Sequence, residues 1–222
     1  MKKTIILLFI LFSTFSYSQK LENGFVYLSD IDKSIQLELR YLSHHNFIGK
    51  PINGYYKSKI IVTKETAQAL KNIQQILLKK ELSLKIFDAY RPQQAVDHFV
   101  VWAKDLKDTL MKNEFYPDTP KNELFKKGYI ATKSGHTRGS TVDLTIINLK
   151  TGKELNMGSP YDFFGEKSHT FYKNLKKEEK ENRLFLRQIM IENGFKPYNY
   201  EWWHFTLKEE PFPKKYFNFP IK

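Results

Sequence analysis

Residues 82–107 read LSLKIFDAYRPQQAVDHFVVWAKDLK, and in this stretch a strand signal is followed directly by a helix signal. The apolar run from Leu82 to Phe87 predicts a buried strand, because it is short and loop residues follow it. The segment from Gln93 to Lys107 is typical of a helix, since apolar side chains recur on one face at Ala95, Phe99 and Trp102. Arg91 therefore lies at a junction between a strand and a helix.

The segments on both sides add further helices and strands. Ile35 to Tyr41 alternates apolar and polar residues, which predicts a strand, and Thr63 is typical of the cap of a helix that should end near Lys80. Later in the chain we predict a strand at Thr141–Ile147, a helix at Glu181–Asn193 closed by Gly194, and a strand at Trp202–Leu207. This irregular mixture predicts an α+β fold: a single domain with a mixed or antiparallel sheet flanked by helices.

Residues 1–18 have the layout of a cleavable secretory signal. Two lysines precede the apolar run from Ile5 to Phe12, and small and polar residues follow as far as Ser18. The run is shorter than the roughly 20 apolar residues that a membrane-spanning helix needs. We therefore expect an exported protein, periplasmic or extracellular after cleavage near Ser18, with residues 19–222 forming one domain.

The absence of cysteine narrows the possible chemistry. It excludes disulfides, thiol nucleophiles, cysteine metal ligands and the commonest bacterial lipid anchor, so no stable membrane anchoring is expected. The formal charge of +12 makes the chain basic, but lysines are interspersed with acids, as in KNLKKEEKE from Lys173 to Glu181. No nucleic-acid-binding motif accompanies this charge, so we expect no nucleic-acid partner.

Two segments concentrate side chains that can bind a metal. Residues 134–143 read SGHTRGSTVD and residues 201–204 read EWWH, so each brings a histidine with a carboxylate nearby. A catalytic zinc typically takes three imidazole or carboxylate ligands and leaves a fourth position for water, and His136, Asp143 and His204 would satisfy this pattern. Each residue taken alone also has an ordinary structural explanation, as a satisfied histidine, a turn cap or a packing residue.

Glu201 is harder to explain by packing alone. It lies among tryptophans, where burying a carboxylate is costly unless the group is paired or functional. On a regular strand, however, Glu201 and His204 would face opposite sides of the sheet, because side chains alternate. We therefore expect a bend or bulge near Tyr200 and Glu201 that directs both side chains to one site.

The pattern SxHxxGxxxD at residues 134–143, followed by ExWH at residues 201–204, resembles the zinc D-Ala-D-Ala dipeptidases related to the vancomycin-resistance enzyme. Other segments similar to that family are DAYRP from Asp88, MGSPYDF from Met157, EPFP from Glu210 and YFNFP from Tyr216. The resemblance spans nearly all of the chain that follows the predicted signal. It implies that residues 19–222 form a zinc-dependent catalytic domain that hydrolyses D-Ala-D-Ala and similar small dipeptides.

The resemblance also implies a catalytic role for each matching residue. One zinc ion per chain would be bound by His136, Asp143 and His204. Glu201 would be the general base that takes a proton from the attacking water, and Arg91 would stabilise the oxyanion. The other histidines are expected to be exposed or structural and not to bind the metal: His44, His45, His98 and His169.

Two further residues would bind the substrate according to this resemblance. Ser134 would contact the carboxylate of the dipeptide, and Asp162 would pair with its free amine. A site that requires a free amine next to Asp162 accepts a dipeptide and rejects a longer peptide.

Two alternatives remain open: a D,D-carboxypeptidase acting on peptidoglycan stem peptides, and a non-catalytic, zinc-containing module that binds peptidoglycan. The oligomeric state stays unknown, and export favours a role in cell-wall turnover or D-amino-acid salvage.

Overall fold

The computed structural model describes residues 21–222, so the predicted signal at residues 1–18 lies outside the described residues. The strands are β1 (Phe25–Tyr27), β2 (Gln36–Leu37), β3 (Ile61–Thr63), β4 (Leu82–Asp88), β5 (Thr141–Asn148), β6 (Phe195–Pro197) and β7 (His204–Leu207). The α-helices are α1 (Leu28–Ile31), α2 (Lys64–Leu78), α3 (Gln93–Lys104), α4 (Lys112–Phe115) and α5 (Lys177–Glu192). Short 3₁₀ turns lie at Arg40–Leu42, Lys121–Glu123, Gly135–Arg138 and Glu166–Ser168.

A five-stranded sheet with the order β2-β4-β5-β7-β6 forms the centre of the fold. β2 pairs with β4 in parallel and the remaining neighbours are antiparallel, so the sheet is mixed. β1 and β3 form a separate antiparallel pair. Helix α2 packs near β4 and helix α5 packs near β6. The predicted α+β class, a single domain with a mixed sheet and flanking helices, is confirmed.

Strand β5 is buried on both of its faces. Val142, Leu144 and Ile146 are fully buried on one face, and the opposite face, which carries Asp143 and Thr145, is buried as well. A strand covered on both sides normally carries apolar residues throughout. The aspartate in this strand is therefore an exception that needs polar partners inside the protein.

The predicted helices are present, with different ends. The Thr63 hydroxyl accepts a hydrogen bond from the backbone N–H of Thr66, as expected of a helix cap. Helix α5 begins about one turn earlier than predicted, because the Glu179 carboxylate accepts a hydrogen bond from the backbone N–H of Lys176 at 2.9 Å. Gly194 follows the end of this helix, as predicted, and has φ = +88°, the left-handed conformation typical of a glycine that closes a helix.

Two strand predictions and one helix end were wrong in extent. Only Gln36–Leu37 of the predicted strand pairs with β4, because the chain then enters a 3₁₀ turn that places Tyr41 in the core. Helix α3 ends at Lys104, since Asp105 has extended backbone angles. The last strand begins at His204 and not at Trp202.

In the described part of the chain, no helix combines the length and the apolar character that crossing a membrane requires.

Substitution of Gly139 tests the close packing before β5. Gly139 has φ = +85°, and a Cβ atom there would lie 2.2 Å from Cε1 of Phe25. We predict that Gly139→Ala lowers the free energy of unfolding by about 3 kcal/mol, through backbone strain and overpacking together. Urea denaturation measures this value. The matched control is Gly152→Ala, where φ is +68° but no atom lies within 4 Å, so only strain of about 1 kcal/mol is expected. Equal losses in both variants would contradict the packing argument.

Candidate metal centre

The register of three adjacent strands places the acidic and imidazole groups of the site side by side. Asp88 at the end of β4 pairs with Asp143 in β5, and Asp143 pairs with His204 at the start of β7. Directly paired positions point to the same face of a sheet and lie within contact distance. The sheet therefore brings these side chains together although they are distant in sequence.

His136 reaches the same face from the 3₁₀ turn that precedes β5. Its Nδ1 atom lies 2.7 Å from the carbonyl oxygen of Ala89, so Nδ1 carries the hydrogen and donates it. The lone pair of Nε2 is then directed toward Asp143 and His204, at 3.3 Å from Asp143 Oδ2 and 3.3 Å from His204 Nδ1. A histidine fixed through its second nitrogen in this way is common among metal ligands. Burial lowers the pKa of His136, which favours the neutral form that a metal ligand requires.

Asp143 lies between the two imidazoles. Its Oδ1 atom is 3.0 Å from His204 Nδ1 but has no partner with hydrogen-bond geometry among the described residues. Burial alone would raise the pKa of Asp143, but the facing imidazoles of His136 and His204 hold it well below its ordinary value, so the group is a carboxylate. The candidate ligand atoms of these residues all lie within 4.8 Å of one another. One Asp143 oxygen thus lacks a hydrogen-bond donor, and the convergence of two imidazoles and a carboxylate at this place fits a metal ion between them.

Arg91 is fixed beside this cluster by a buried carboxylate. Asp88 Oδ2 accepts a hydrogen bond from Arg91 Nε at 2.8 Å, and Asp88 Oδ1 accepts one from the Tyr55 hydroxyl at 2.7 Å. The guanidinium also lies over the rings of Tyr41 and Phe99, at 5.1 and 5.2 Å from their centroids. Asp88 had no predicted role. The position of Asp88 three residues before Arg91 was the sequence feature that could have indicated this contact. No sequence pattern indicated a role for Tyr55.

Glu201 lies on the bend that the sequence analysis required. The backbone N–H of Glu201 donates to Tyr198 O, and the N–H of His204 donates to Glu201 O, both at 3.3 Å, so residues 198–204 turn before β7 begins. As a result Glu201 and His204 face the same site, with Glu201 Oε2 at 3.5 Å from His204 Nδ1. Burial raises the pKa of Glu201 to about 7. A carboxyl group with this pKa can accept and return a proton near neutral pH.

Asp162 is a buried carboxylate with an unused oxygen. Its Oδ1 accepts a hydrogen bond from the Tyr41 hydroxyl at 3.2 Å, while Oδ2 has no partner among the described residues. Its backbone has φ = +61°, which is unusual for a residue other than glycine. Burial, together with the nearby Asp143 carboxylate, raises the pKa of Asp162 well above its ordinary value, while Arg91 and the Tyr41 hydroxyl act in the opposite direction. The Oδ2 atom of Asp162 is therefore available to a ligand, and a cationic group placed against it would favour the ionised form.

One pocket contains all of the predicted site residues. It has a volume of about 200 Å³ and is lined, among others, by Arg91, Ser134, His136, Asp143, Asp162, Glu201 and His204. The Ser134 hydroxyl accepts a hydrogen bond from the His136 N–H at 3.3 Å, which places this side chain at the edge of the ligand cluster. Pockets for drug-sized ligands are typically about 300–1,000 Å³, so this site is suited to a smaller molecule.

The remaining histidines lie outside this cluster. His44 and His45 are exposed, and His98 and His169 are partly exposed. Within residues 21–222, only His136, Asp143 and His204 bring three potential metal-ligand atoms of histidine or carboxylate side chains close enough to share one ion.

Two imidazoles and a carboxylate beside a second carboxylate, all in one pocket, are typical of a metallohydrolase. The sequence model of the family described as D-Ala-D-Ala dipeptidase matches residues 21–222. A D-alanyl-D-alanine dipeptidase of Enterococcus faecalis is 43% identical over 201 residues, which is 90% of this chain and 100% of that protein. Those of Enterococcus faecium and Streptomyces coelicolor are 40% and 41% identical over 91% and 89% of this chain, and 100% and 98% of their own lengths. The chain therefore belongs to the D-Ala-D-Ala dipeptidase family, and it is a metallopeptidase.

Metal content provides a direct test of the ligand cluster. We predict that the purified protein binds one metal ion per chain and that His136→Ala lowers metal affinity by at least about 100-fold, because it removes a ligand fixed by Ala89. Elemental analysis after dialysis measures the bound metal. His169→Ala is the control, since His169 is partly buried but lies outside the cluster. Full metal content in His136→Ala would contradict the assignment.

Proposed function

We propose that this protein hydrolyses D-Ala-D-Ala and similar small dipeptides to free amino acids, with one zinc ion bound by His136, Asp143 and His204. The observation that carries the proposal is the unpaired Oδ2 atom of Asp162, which lies in the same small pocket as the candidate metal ligands. A carboxylate at this place provides a partner for the ammonium group of a dipeptide. The relatives named above carry the name of the same activity.

Zinc suits the ligand set, because it favours nitrogen and oxygen donors and leaves a position open when three protein ligands are present. When bound, zinc lowers the pKa of water from roughly 15.7 to about 7 and polarises a carbonyl oxygen. No serine or cysteine nucleophile is then required.

Glu201 would act as the general base in this reaction. Its carboxylate is mostly buried on the bend before β7 and faces the candidate ligands, at 3.5 Å from His204 Nδ1. From this position it would take a proton from the attacking water and return it to the amine of the departing amino acid. General acid–base catalysis of this kind typically contributes about 10²- to 10⁴-fold in rate.

Arg91 would stabilise the negative charge that develops on the carbonyl oxygen. Its Nη2 atom lies 3.4 Å from Asp143 Oδ2, so the guanidinium is next to the candidate ligands. Asp88 holds Arg91 in place through Nε, while Nη2 donates to the Tyr41 hydroxyl and to Asp143 Oδ2. A donor that is already positioned loses little free energy to reorganisation during the reaction.

Ser134 and Asp162 would bind the two charged ends of the dipeptide. The Ser134 hydroxyl can donate to the substrate carboxylate while it accepts from the His136 N–H. Asp162 would pair with the free amine, which a longer peptide lacks at that position. This requirement and the small pocket favour a dipeptidase over a D,D-carboxypeptidase.

The decisive assay compares two substrates. The purified protein is incubated with D-Ala-D-Ala and with a pentapeptide ending in D-Ala-D-Ala, each with and without a chelator, and released D-Ala is measured. The proposal predicts that only the dipeptide is cleaved and that the chelator abolishes cleavage. Cleavage of the pentapeptide would instead indicate a carboxypeptidase, and cleavage of neither substrate would favour the non-catalytic module.

Substitution of Glu201 separates metal binding from proton transfer. We predict that Glu201→Ala retains bound zinc but loses at least about 10²-fold in kcat for D-Ala-D-Ala, because the general base is removed. Elemental analysis and steady-state kinetics on the same sample measure both properties. Glu166→Ala, which removes an exposed carboxylate outside this pocket, is the control. A fully active Glu201→Ala variant would show that another group is the base.

Substitution of Asp162 tests substrate binding. We predict that Asp162→Asn raises KM for D-Ala-D-Ala by about 10- to 100-fold with a smaller effect on kcat, because a hydrogen bond between charged groups is lost. Steady-state kinetics give both values. A change in kcat alone would contradict the role of Asp162 as the partner of the substrate amine.

We further propose that the protein is exported and acts in cell-wall turnover or D-amino-acid salvage. The support is the secretory-signal pattern of residues 1–18, which precedes the family match that begins at residue 21. Cell fractionation provides the test: the proposal expects a mature protein shortened near Ser18 outside the cytoplasm. A full-length protein found in the cytosol would contradict it.

A further inference from the structure

Arg183 is a buried cation whose partners are almost all backbone oxygens. It lies on α5 and is 1% exposed. Its guanidinium donates to Met157 O and His169 O at 2.6 Å each, to Lys167 O at 2.8 Å, and to the Ser159 hydroxyl at 3.3 Å. No carboxylate within residues 21–222 forms an ion pair with it. A buried arginine used in this way fixes the course of the backbone that it contacts.

The backbone that Arg183 contacts is the loop that carries Asp162. Met157 and Ser159 precede Asp162, while Lys167 and His169 follow it, so one guanidinium joins the two ends of residues 157–169. Asp162 holds a left-handed backbone conformation that is unfavourable for aspartate and persists only where surrounding contacts impose it. The bonds from Arg183 supply such contacts at both ends of the loop.

The same loop also supports the bend that carries Glu201. The indole N–H of Trp202 donates to the Ser159 hydroxyl, and the backbone N–H of Trp202 donates to Ser168 O, both at 3.0 Å. Ser159 therefore contacts Arg183 on one side and the residue next to Glu201 on the other. A displacement of this loop would move Asp162 directly, because the loop carries it, and would reach Glu201 only indirectly through Trp202.

We propose that Arg183 is a positioning residue for substrate recognition, which acts through the 157–169 loop to hold the Asp162 carboxylate at the substrate amine. This inference rests on the proposed dipeptidase function. Arg183 itself touches neither the pocket nor the candidate metal ligands. Its effect should therefore appear mainly in the binding of the dipeptide and depend on Asp162.

The test is a double-mutant cycle between Arg183→Lys and Asp162→Asn. Lysine keeps the positive charge but cannot donate to acceptors spread along the whole loop. Arg183→Lys is expected to raise KM for D-Ala-D-Ala by about tenfold with kcat changed by less than about threefold, since a small misplacement of a binding group is costly. In the Asp162→Asn background the same substitution is expected to leave KM unchanged. Equal effects of Arg183→Lys in both backgrounds would overturn the inference.

Arg187→Lys is the matched control on the same helix. Arg187 donates to Asn199 Oδ1 at 3.0 Å and lies over the ring of Phe171, but it makes no hydrogen bond to residues 157–169. Its substitution is expected to leave KM unchanged.

Trp202→Phe is a second probe that keeps an aromatic ring at this position but removes the hydrogen bond to Ser159. It should raise KM for D-Ala-D-Ala, as Arg183→Lys does. This variant decides the question if Arg183→Lys does not fold, and an unchanged KM would then overturn the inference.

The inference and the proposed function fail in different ways. If the wild-type protein does not release D-Ala from D-Ala-D-Ala, the proposed function fails. The double-mutant cycle is then measured through the dissociation constant of the dipeptide, determined by calorimetry. If the wild type is active but Arg183→Lys lowers kcat alone, only the inference fails. Zinc content measured on every variant ensures that a lost metal is not mistaken for lost substrate binding.

Discussion

The whole site depends on a buried carboxylate in the central strand of the sheet. Asp143 lies in a strand that is covered on both faces, where an unpaired charge would be strongly destabilising. The imidazole of His204 at 3.0 Å and the guanidinium of Arg91 at 3.4 Å provide the compensation, and the neutral imidazole of His136 lies 3.3 Å away. These groups can meet only because the register of β4, β5 and β7 brings their chain segments to one face. The fold and the chemistry are thus linked by strand register.

Around this centre, each functional group is fixed by a second residue. Ala89 sets the tautomer of His136, and Asp88 orients Arg91. The bend before β7 directs Glu201 into the pocket. Such supporting contacts hold reactive groups in place before the substrate arrives, which is how an active site avoids the cost of reorganisation. Asp162 differs from the others because one of its oxygens has no protein partner, as expected of a group that binds a charged ligand.

Much of the site could be predicted from sequence because its chemistry is concentrated in short motifs. The segments at 134–143 and 201–204 contain the candidate ligands and the proposed base, and strand alternation required a bend if Glu201 and His204 were to face one site. The limits of Ile35–Tyr41 could not be predicted, because they depend on how far β2 can pair with β4. Arg183 gave no signal either: its partners are backbone oxygens 14 to 26 residues away, which no side-chain pattern marks. Contacts of this kind become visible only in three dimensions.

The most direct test of the central claim is anomalous diffraction at the zinc absorption edge from crystals of the purified protein. The proposed zinc site predicts one strong peak per chain, between His136 Nε2, the Asp143 carboxylate and His204 Nδ1, with Glu201 beside it but not bound to the metal. A peak at another place in the chain, or no peak from a protein that hydrolyses D-Ala-D-Ala, would contradict the account of Asp143 as the centre of a metal site.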